Sequence, residues 1–153
     1  MEIEKLTYTI ADKCSSEELF AFMKSVEGDF IPPLFSRINA EQYVDKIIAR
    51  ATINTCRCEG EIVGLIAVYD NDLMNREAYI TFLAVVPFWR RHHVAARLLQ
   101  LTDLSRQWNG MKKIKVSTCN PDVARFYQKN EYSIERKEYD TNANTTRIYL
   151  NKS

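Results

Sequence analysis

No stretch of the 153-residue chain runs apolar for the roughly 20 residues needed to cross a bilayer. The opening residues, MEIEKLTYTI, are acidic and contain no apolar signal core. A cytoplasmic protein with no membrane partner is therefore expected. The four cysteines, Cys14, Cys56, Cys58 and Cys119, form no CxxC pair and have no histidine nearby at zinc spacing. They read as reduced thiols, and no metal is expected. The net charge is only +1, so the chain has no general attraction for nucleic acid, and any cationic site must be local. No repeat, linker or low-complexity segment divides the sequence. One domain over residues 1–153 is expected.

What is present is ordinary for a soluble globular protein, with 46% apolar and 27% charged residues. EKLTYTIA alternates as a strand does. SSEELFAFMKSV has a serine cap, early glutamates and Leu19, Phe20 and Met23 at helical spacing. EGDFIPPLFSR reads as a loop, because Pro32 and Pro33 forbid regular structure. NAEQYVDKIIARA is a helix capped by Asn39, with Tyr43, Ile47 and Ile48 inward. A hairpin turns at Glu59-Gly60-Glu61, and AYITFLAVV reads as a central strand covered on both faces. The helix after Pro87 carries Val94, Leu98, Leu101 and Trp108 on one stripe and ends at Asn109-Gly110. KKIKVSTC alternates with Ile114 and Val116 inward, and NPDVARFYQKN is a short helix capped by Asn120. YSIERKEYD and TTRIYLNK form a closing strand pair. The order β-α-α-β-β-β-α-β-α-β-β gives a mixed sheet flanked by helices. Residues 77–118 form a right-handed crossover between two parallel strands.

In AVVPFWRRHHVAARLLQ, residues 84–100, Arg90, Arg91, His92 and His93 crowd the start of a helix. That end already carries a partial positive charge, so cations there are disfavoured unless an anion joins them. Unpaired helix amides and guanidinium groups together suit a phosphate. Crossover units of this kind bind ligands at the carboxyl ends of their strands, which is where residues 86–96 fall. A nucleic-acid site lacks the aromatic ladder and further basic stripe it needs. Adjacent His92 and His93 point to different sides of a helix and do not suit a metal.

The same segment resembles the coenzyme-A-binding signature of the GNAT superfamily of acyltransferases, through Val86, Pro87, Arg90, Val94, Ala95, Leu98 and Leu99. NPDVARFYQKNEY resembles a second motif of that family through Asn120, Ala124, Tyr127 and Lys129. His93 and Glu131 stand where these motifs have glycine, and Tyr132 where they have phenylalanine. A histidine is expected to present its N–H with the backbone still helical.

The resemblance implies a single-domain, mostly antiparallel α/β fold with a splayed parallel strand pair. It implies acetyl-CoA as co-substrate, with no metal, and a small polar primary amine such as an amino sugar or amino acid as acceptor. The pantetheine would lie along Leu83, Ala84, Val85 and Val86. The pyrophosphate would sit at Arg90, Arg91, His92, His93, Val94, Ala95 and Ala96, with Asn120 near the cofactor. Tyr127 would be the general acid, and Glu77 with Tyr79 would relay the proton from the amine. Asp29, Phe30, Phe35 and Arg37 of the loop would meet the acceptor. An idle acyl-CoA-binding module and a protein or peptide N-acetyltransferase are the alternatives, and the chain would be a monomer or homodimer.

Overall fold

The computed structural model describes residues 5–30, 33–36 and 38–153. In chain order its elements are β1 (Leu6–Thr9), α1 (Ser16–Val26), α2 (Ala40–Arg50), β2 (Thr52–Cys58), β3 (Glu61–Tyr69) and β4 (Glu77–Val85). They continue with α3 (Val94–Trp108), β5 (Lys113–Thr118), α4 (Pro121–Lys129), β6 (Ser133–Asp140) and β7 (Thr145–Lys152). This is the order read from the sequence. Local chemistry sets many of the ends. Ser15, Asn39 and Asn120 each accept a hydrogen bond from the first turn of the helix they cap, at 3.1, 3.0 and 2.9 Å. Glu59 and Gly60 both have positive φ, 51° and 87°, which a two-residue hairpin loop between β2 and β3 requires.

Among the described residues, seven strands form one sheet in the order β1-β2-β3-β4-β5-β7-β6. Every neighbouring pair is antiparallel except β4 and β5. Two cores sandwich it. Leu19, Met23, Ile47, Leu65 and Phe82 pack α1 and α2 on one face. Ile66, Ile80, Leu98, Ile114, Tyr127 and Leu150 pack α3 and α4 on the other. Gly64 on β3 admits the start of α3, since a Cβ there would lie 2.8 Å from Val94 Cγ1.

Two inward assignments need correction. On α2, Ile47 is fully buried but Ile48 is 39% exposed. On α3, Val94 and Leu98 are buried, yet Trp108 is 91% exposed and Leu101 is only partly covered. The buried stripe continues through Thr102, Asp103 and Arg106 instead. These polar side chains are tolerated because most of their polar atoms find hydrogen-bond partners and Arg106 Nη2 lies 2.7 Å from the Asp103 carboxylate. Asn54 donates to Thr102 Oγ1 at 2.9 Å, and Arg106 donates to Asp103 at 2.8 Å and to the Met111 carbonyl at 3.1 Å. The helix also starts later than expected after Pro87: a 3-10 turn over Pro87–Trp89 and a further turn at 90–93 come first.

Candidate functional site

β4 and β5 run side by side for three residue pairs, Glu77 with Lys113, Ala78 with Ile114 and Tyr79 with Lys115. Then they part. β4 goes on to Val85 paired only with β3, and β5 goes on to Thr118 paired only with β7. The cause lies in the β3–β4 ladder, where Ala67 pairs with Phe82 and Val68 with Ile80, leaving Thr81 as an extra residue on β4. A bulge bends its strand and increases its twist. Its mark is visible in the two cores. Ile80 and Phe82 are two residues apart and would ordinarily share a face, yet they belong to opposite cores. The bulge turns out the Thr81 carbonyl, which accepts a 2.7 Å hydrogen bond from the Tyr43 hydroxyl of α2.

The parted strands enclose a cleft of about 330 Å³, a size suited to a small-molecule site of roughly 300–1,000 Å³. Leu83, Ala84 and Val85 form its β4 wall, and residues 116–120 form the β5 wall. Val86 turns back to the sheet, its N–H donating to Val63 at 2.9 Å. Tyr127 of α4 closes the cleft from the α3–α4 side and is only 3% exposed. Its hydroxyl has no hydrogen-bond partner among the described residues. Burial pushes that hydroxyl far above its ordinary pKa, with Tyr132 and Tyr79 adding to the effect, so Tyr127 holds its proton at neutral pH.

Asp29 and Phe30 also line the cleft. Phe30 stacks on Phe82 at 5.3 Å between ring centres. The Asp29 carboxylate is engaged by the Arg90 guanidinium, whose Nε donates to the Val85 carbonyl at 3.0 Å. Arg90 thus turns into the cleft mouth and away from the start of α3. Phe35 is not a lining residue and stacks on Phe20 at 5.7 Å. Arg37 lies outside the described residues.

At the start of α3, His93 has φ 62° and its side chain makes no capping bond. The expectation of a helical backbone is therefore corrected: His93 is left-handed, as is Arg91 at 65°. The amides of Val94, Ala95 and Ala96 open the helix, where intrahelical partners are lacking. His92 Nδ1 lies 2.8 Å from the Arg90 carbonyl, and its ring packs against Trp89. Asn120 lines the cleft, with its side-chain oxygen committed to the cap of α4. Tyr79 lines it too, its hydroxyl 3.5 Å from Ser117 Oγ. Glu77 is not among the lining residues and pairs with Lys115 at 3.2 Å.

The sequence profile of the Acetyltransferase (GNAT) family matches residues 19–132. The chain belongs to this family.

Solved structures of acetyltransferases share its fold. One is a protein from Desulfovibrio desulfuricans assigned as a GNAT acetyltransferase, with a TM-score of 0.80, 15% identity, and 97% of this chain and 98% of that chain covered. Another is the ribosomal-protein-S18-alanine N-acetyltransferase of Escherichia coli, with a TM-score of 0.76, 12% identity, and 95% and 92% covered. A third is a protein from Bacillus anthracis assigned as a streptothricin acetyltransferase, in complex with acetyl coenzyme A. Its TM-score is 0.61 at 23% identity, with 71% and 67% covered. No protein of curated function matches the sequence.

Within the GNAT fold, the cleft is lined by Tyr127 and Arg90, and the left-handed residues Arg91 and His93 follow Arg90 in the chain, outside the lining. Three contributors have no local signal in the sequence. Tyr43 looks like a core residue of α2, Ser117 like a strand residue, and Arg147 is 30 residues from the serine it bonds at 3.1 Å. Only the strand pairing of β5 with β7 joins those last two. Among the described residues, no group of His, Cys, Asp or Glu is placed to hold a metal, and no helix is long and apolar enough to cross a membrane.

Proposed function

We propose that the chain transfers an acetyl group from acetyl-CoA to the primary amine of a small polar acceptor by direct attack. The observation that carries this reading is the parting of β4 and β5 after Tyr79 and Lys115, with a protonated Tyr127 facing the gap. The facing edges of residues 80–85 and 116–118 have no strand partner, so their peptide groups suit the amides of a pantetheine chain laid along Leu83 to Val86. The amides at residues 91–96 suit the pyrophosphate. They take over the recognition that Arg90 gives up to Asp29.

In this reading a backbone N–H near Val85 stabilises the charge that grows on the thioester oxygen. Tyr127 donates its proton to the departing thiolate, a role suited to an acid that stays protonated at neutral pH. The proton of the attacking amine leaves along the Tyr79 and Ser117 hydroxyls toward the open face of the sheet, with Glu77 one pleat further on.

Two measurements test this. Thermal unfolding is compared with acetyl-CoA, with CoA lacking its 3′-phosphate, and with pyrophosphate. A ligand at 100 times its Kd stabilises by about 2.7 kcal/mol, several degrees in a domain of this size. A shift with acetyl-CoA well beyond that with pyrophosphate is expected, and no shift with any of the three refutes the reading. Tyr127→Phe is expected to lower kcat by roughly 10²–10⁴ while the acetyl-CoA shift persists. An unchanged kcat removes Tyr127 from the acid role.

A further inference from the structure

Among the described residues, the cleft lining holds three charged side chains, Asp29, Arg90 and Arg147. Asp29 and Arg90 engage each other. Arg147 has no carboxylate partner among the described residues. It spends one N–H on Ser117 Oγ at 3.1 Å, out of the five a guanidinium carries. We infer that the acceptor amine bears an anionic group, carboxylate or phosphate, and that Arg147 receives it. This rests on the acetyl-transfer reading above and narrows its acceptor.

The position of Arg147 separates it from the coenzyme. Tyr79 faces Lys115 across the β4–β5 ladder, and Ser117 faces Tyr149 across β5–β7. Alternation along β5 and β7 then puts Tyr79, Ser117, Tyr149 and Arg147 on one face of the sheet. Helices α3 and α4 pack on the other. The amides at the start of α3 therefore lie across the sheet from Arg147. Its charge faces the side from which the amine arrives.

Two neighbouring charges on this face, Lys115 and Glu138, are already matched. Lys115 pairs with Glu77. Glu138 lies directly opposite Arg147 in the β6–β7 ladder. One oxygen of Glu138 takes the Arg136 Nε at 2.7 Å, and the other takes the Tyr149 hydroxyl at 3.4 Å. A guanidinium held by the single hydroxyl of Ser117, with the Tyr79 hydroxyl beyond it, is built to grip a planar or tetrahedral oxyanion with its remaining donors. Asp29 is spent on Arg90, so no free carboxylate among the described lining residues favours a purely cationic acceptor.

The test uses matched acceptors that differ only in the anion: α-amino acids against their carboxamides, and O-phosphoethanolamine against ethanolamine. CoA thiol release gives kcat/KM for each. The wild type is expected to prefer the anionic member of one pair by roughly ten- to hundredfold. Which pair shows the preference tells carboxylate from phosphate. In Arg147→Gln the preference should fall below about threefold, and Arg147→Lys should keep part of it. A general defect lowers both members together and leaves the ratio standing, which counts against the inference. So does a wild type that acetylates the neutral members, or peptide N-termini, as readily as the anionic ones.

If no amine releases thiol, the acetyl-transfer reading fails and the anion site is decided by binding alone. Thermal unfolding of the CoA-saturated protein is then compared with an amino acid and with its carboxamide. A larger shift with the acid, lost in Arg147→Gln, keeps the site. Equal shifts overturn it.

Discussion

His93 and Glu131 stand where the family motifs have glycine, and both backbones are left-handed, with φ 62° and 75°. A side chain in that region costs about 1 kcal/mol relative to glycine. His93→Gly and Glu131→Gly are each expected to raise the thermal midpoint by roughly 2–4 °C. Glu131 would give up an exposed 3.2 Å contact with Lys152, which is worth little. Tyr132 is a third departure from the motif. Its ring is 4% exposed, and its buried hydroxyl has no partner among the described residues. Leaving a hydroxyl unpaired costs about 1–3 kcal/mol, so Tyr132→Phe should stabilise the protein in chemical denaturation. The motif positions were legible in the sequence, but their torsions were not. A signature glycine reads as room for a phosphate, and a histidine there invites a steric argument. The backbone turn it must support has no counterpart in side-chain chemistry.

Among the elements, the one that most directly sets the site is the start of α3 against Gly64 of β3. A Cβ on residue 64 would meet Val94 at 2.8 Å, Leu98 at 3.2 Å and Val85 at 3.4 Å. Val94 is branched at Cβ and cannot easily rotate away inside a helix. Gly64→Ala should cost about 1–3 kcal/mol and push the helix start off the sheet. Calorimetric unfolding with and without acetyl-CoA checks both effects, the second as a smaller ligand-induced shift. Caps, the hairpin turn and the order of elements were readable, because each depends on a few adjacent residues such as Asn39, Asn120 or Glu59-Gly60, although the first helix offered Ser15 and Ser16 alike and the structure selects Ser15. The bulge at Thr81 was not. AYITFLAVV is apolar on both faces, so its alternation gives no sign that one residue has been added. The stripe of α3 misled for the opposite reason: Arg106 looks like a surface residue until Asp103 and the Met111 carbonyl are seen beneath the helix.

Across the whole molecule, the sheet is covered unequally. α1 and α2 shield β2 to β4, whereas the same face of β5, β7 and β6 stays open, with every residue of β6 exposed. The free end of the sheet at β1 is fastened by charge. Arg57 of β2 binds Asp12 at 2.9 Å and Glu18 of α1 at 2.7 Å. Burial alone would raise the Asp12 pKa, but Thr55 and Arg57 outweigh it and bring the pKa below its usual value. Glu18 is lowered chiefly by its hydrogen bond to Arg57. The unfolded chain thus takes up these protons more readily than the folded one. The stabilisation is complete above the ordinary carboxylate range and is lost as the pH falls through the lowered values. Arg57→Met should cost about 1–3 kcal/mol at pH 7 and flatten the acid limb of stability measured by urea unfolding between pH 7 and pH 3. The parallel pair and the flanking helices were expected from the element order. The open half was not, because the polar face of β5 and β7 reads simply as solvent.

The three pairs that join β4 to β5 have a mechanical meaning. β1 to β4 form one slab and β5 to β7 another; among the described residues the backbone ladder between them consists of the three pairs at Glu77, Ala78 and Tyr79, while the core under α3 and α4 spans both. The peptide groups beyond the last stitch have no ladder partner across the gap, and amide exchange is expected to find their hydrogens less protected than those before it. A chain-like ligand laid in the gap continues the stitching. In the acetyl-transfer reading proposed above, the pantetheine would act for a time as part of the sheet, supplying rungs that the two parted strands lack.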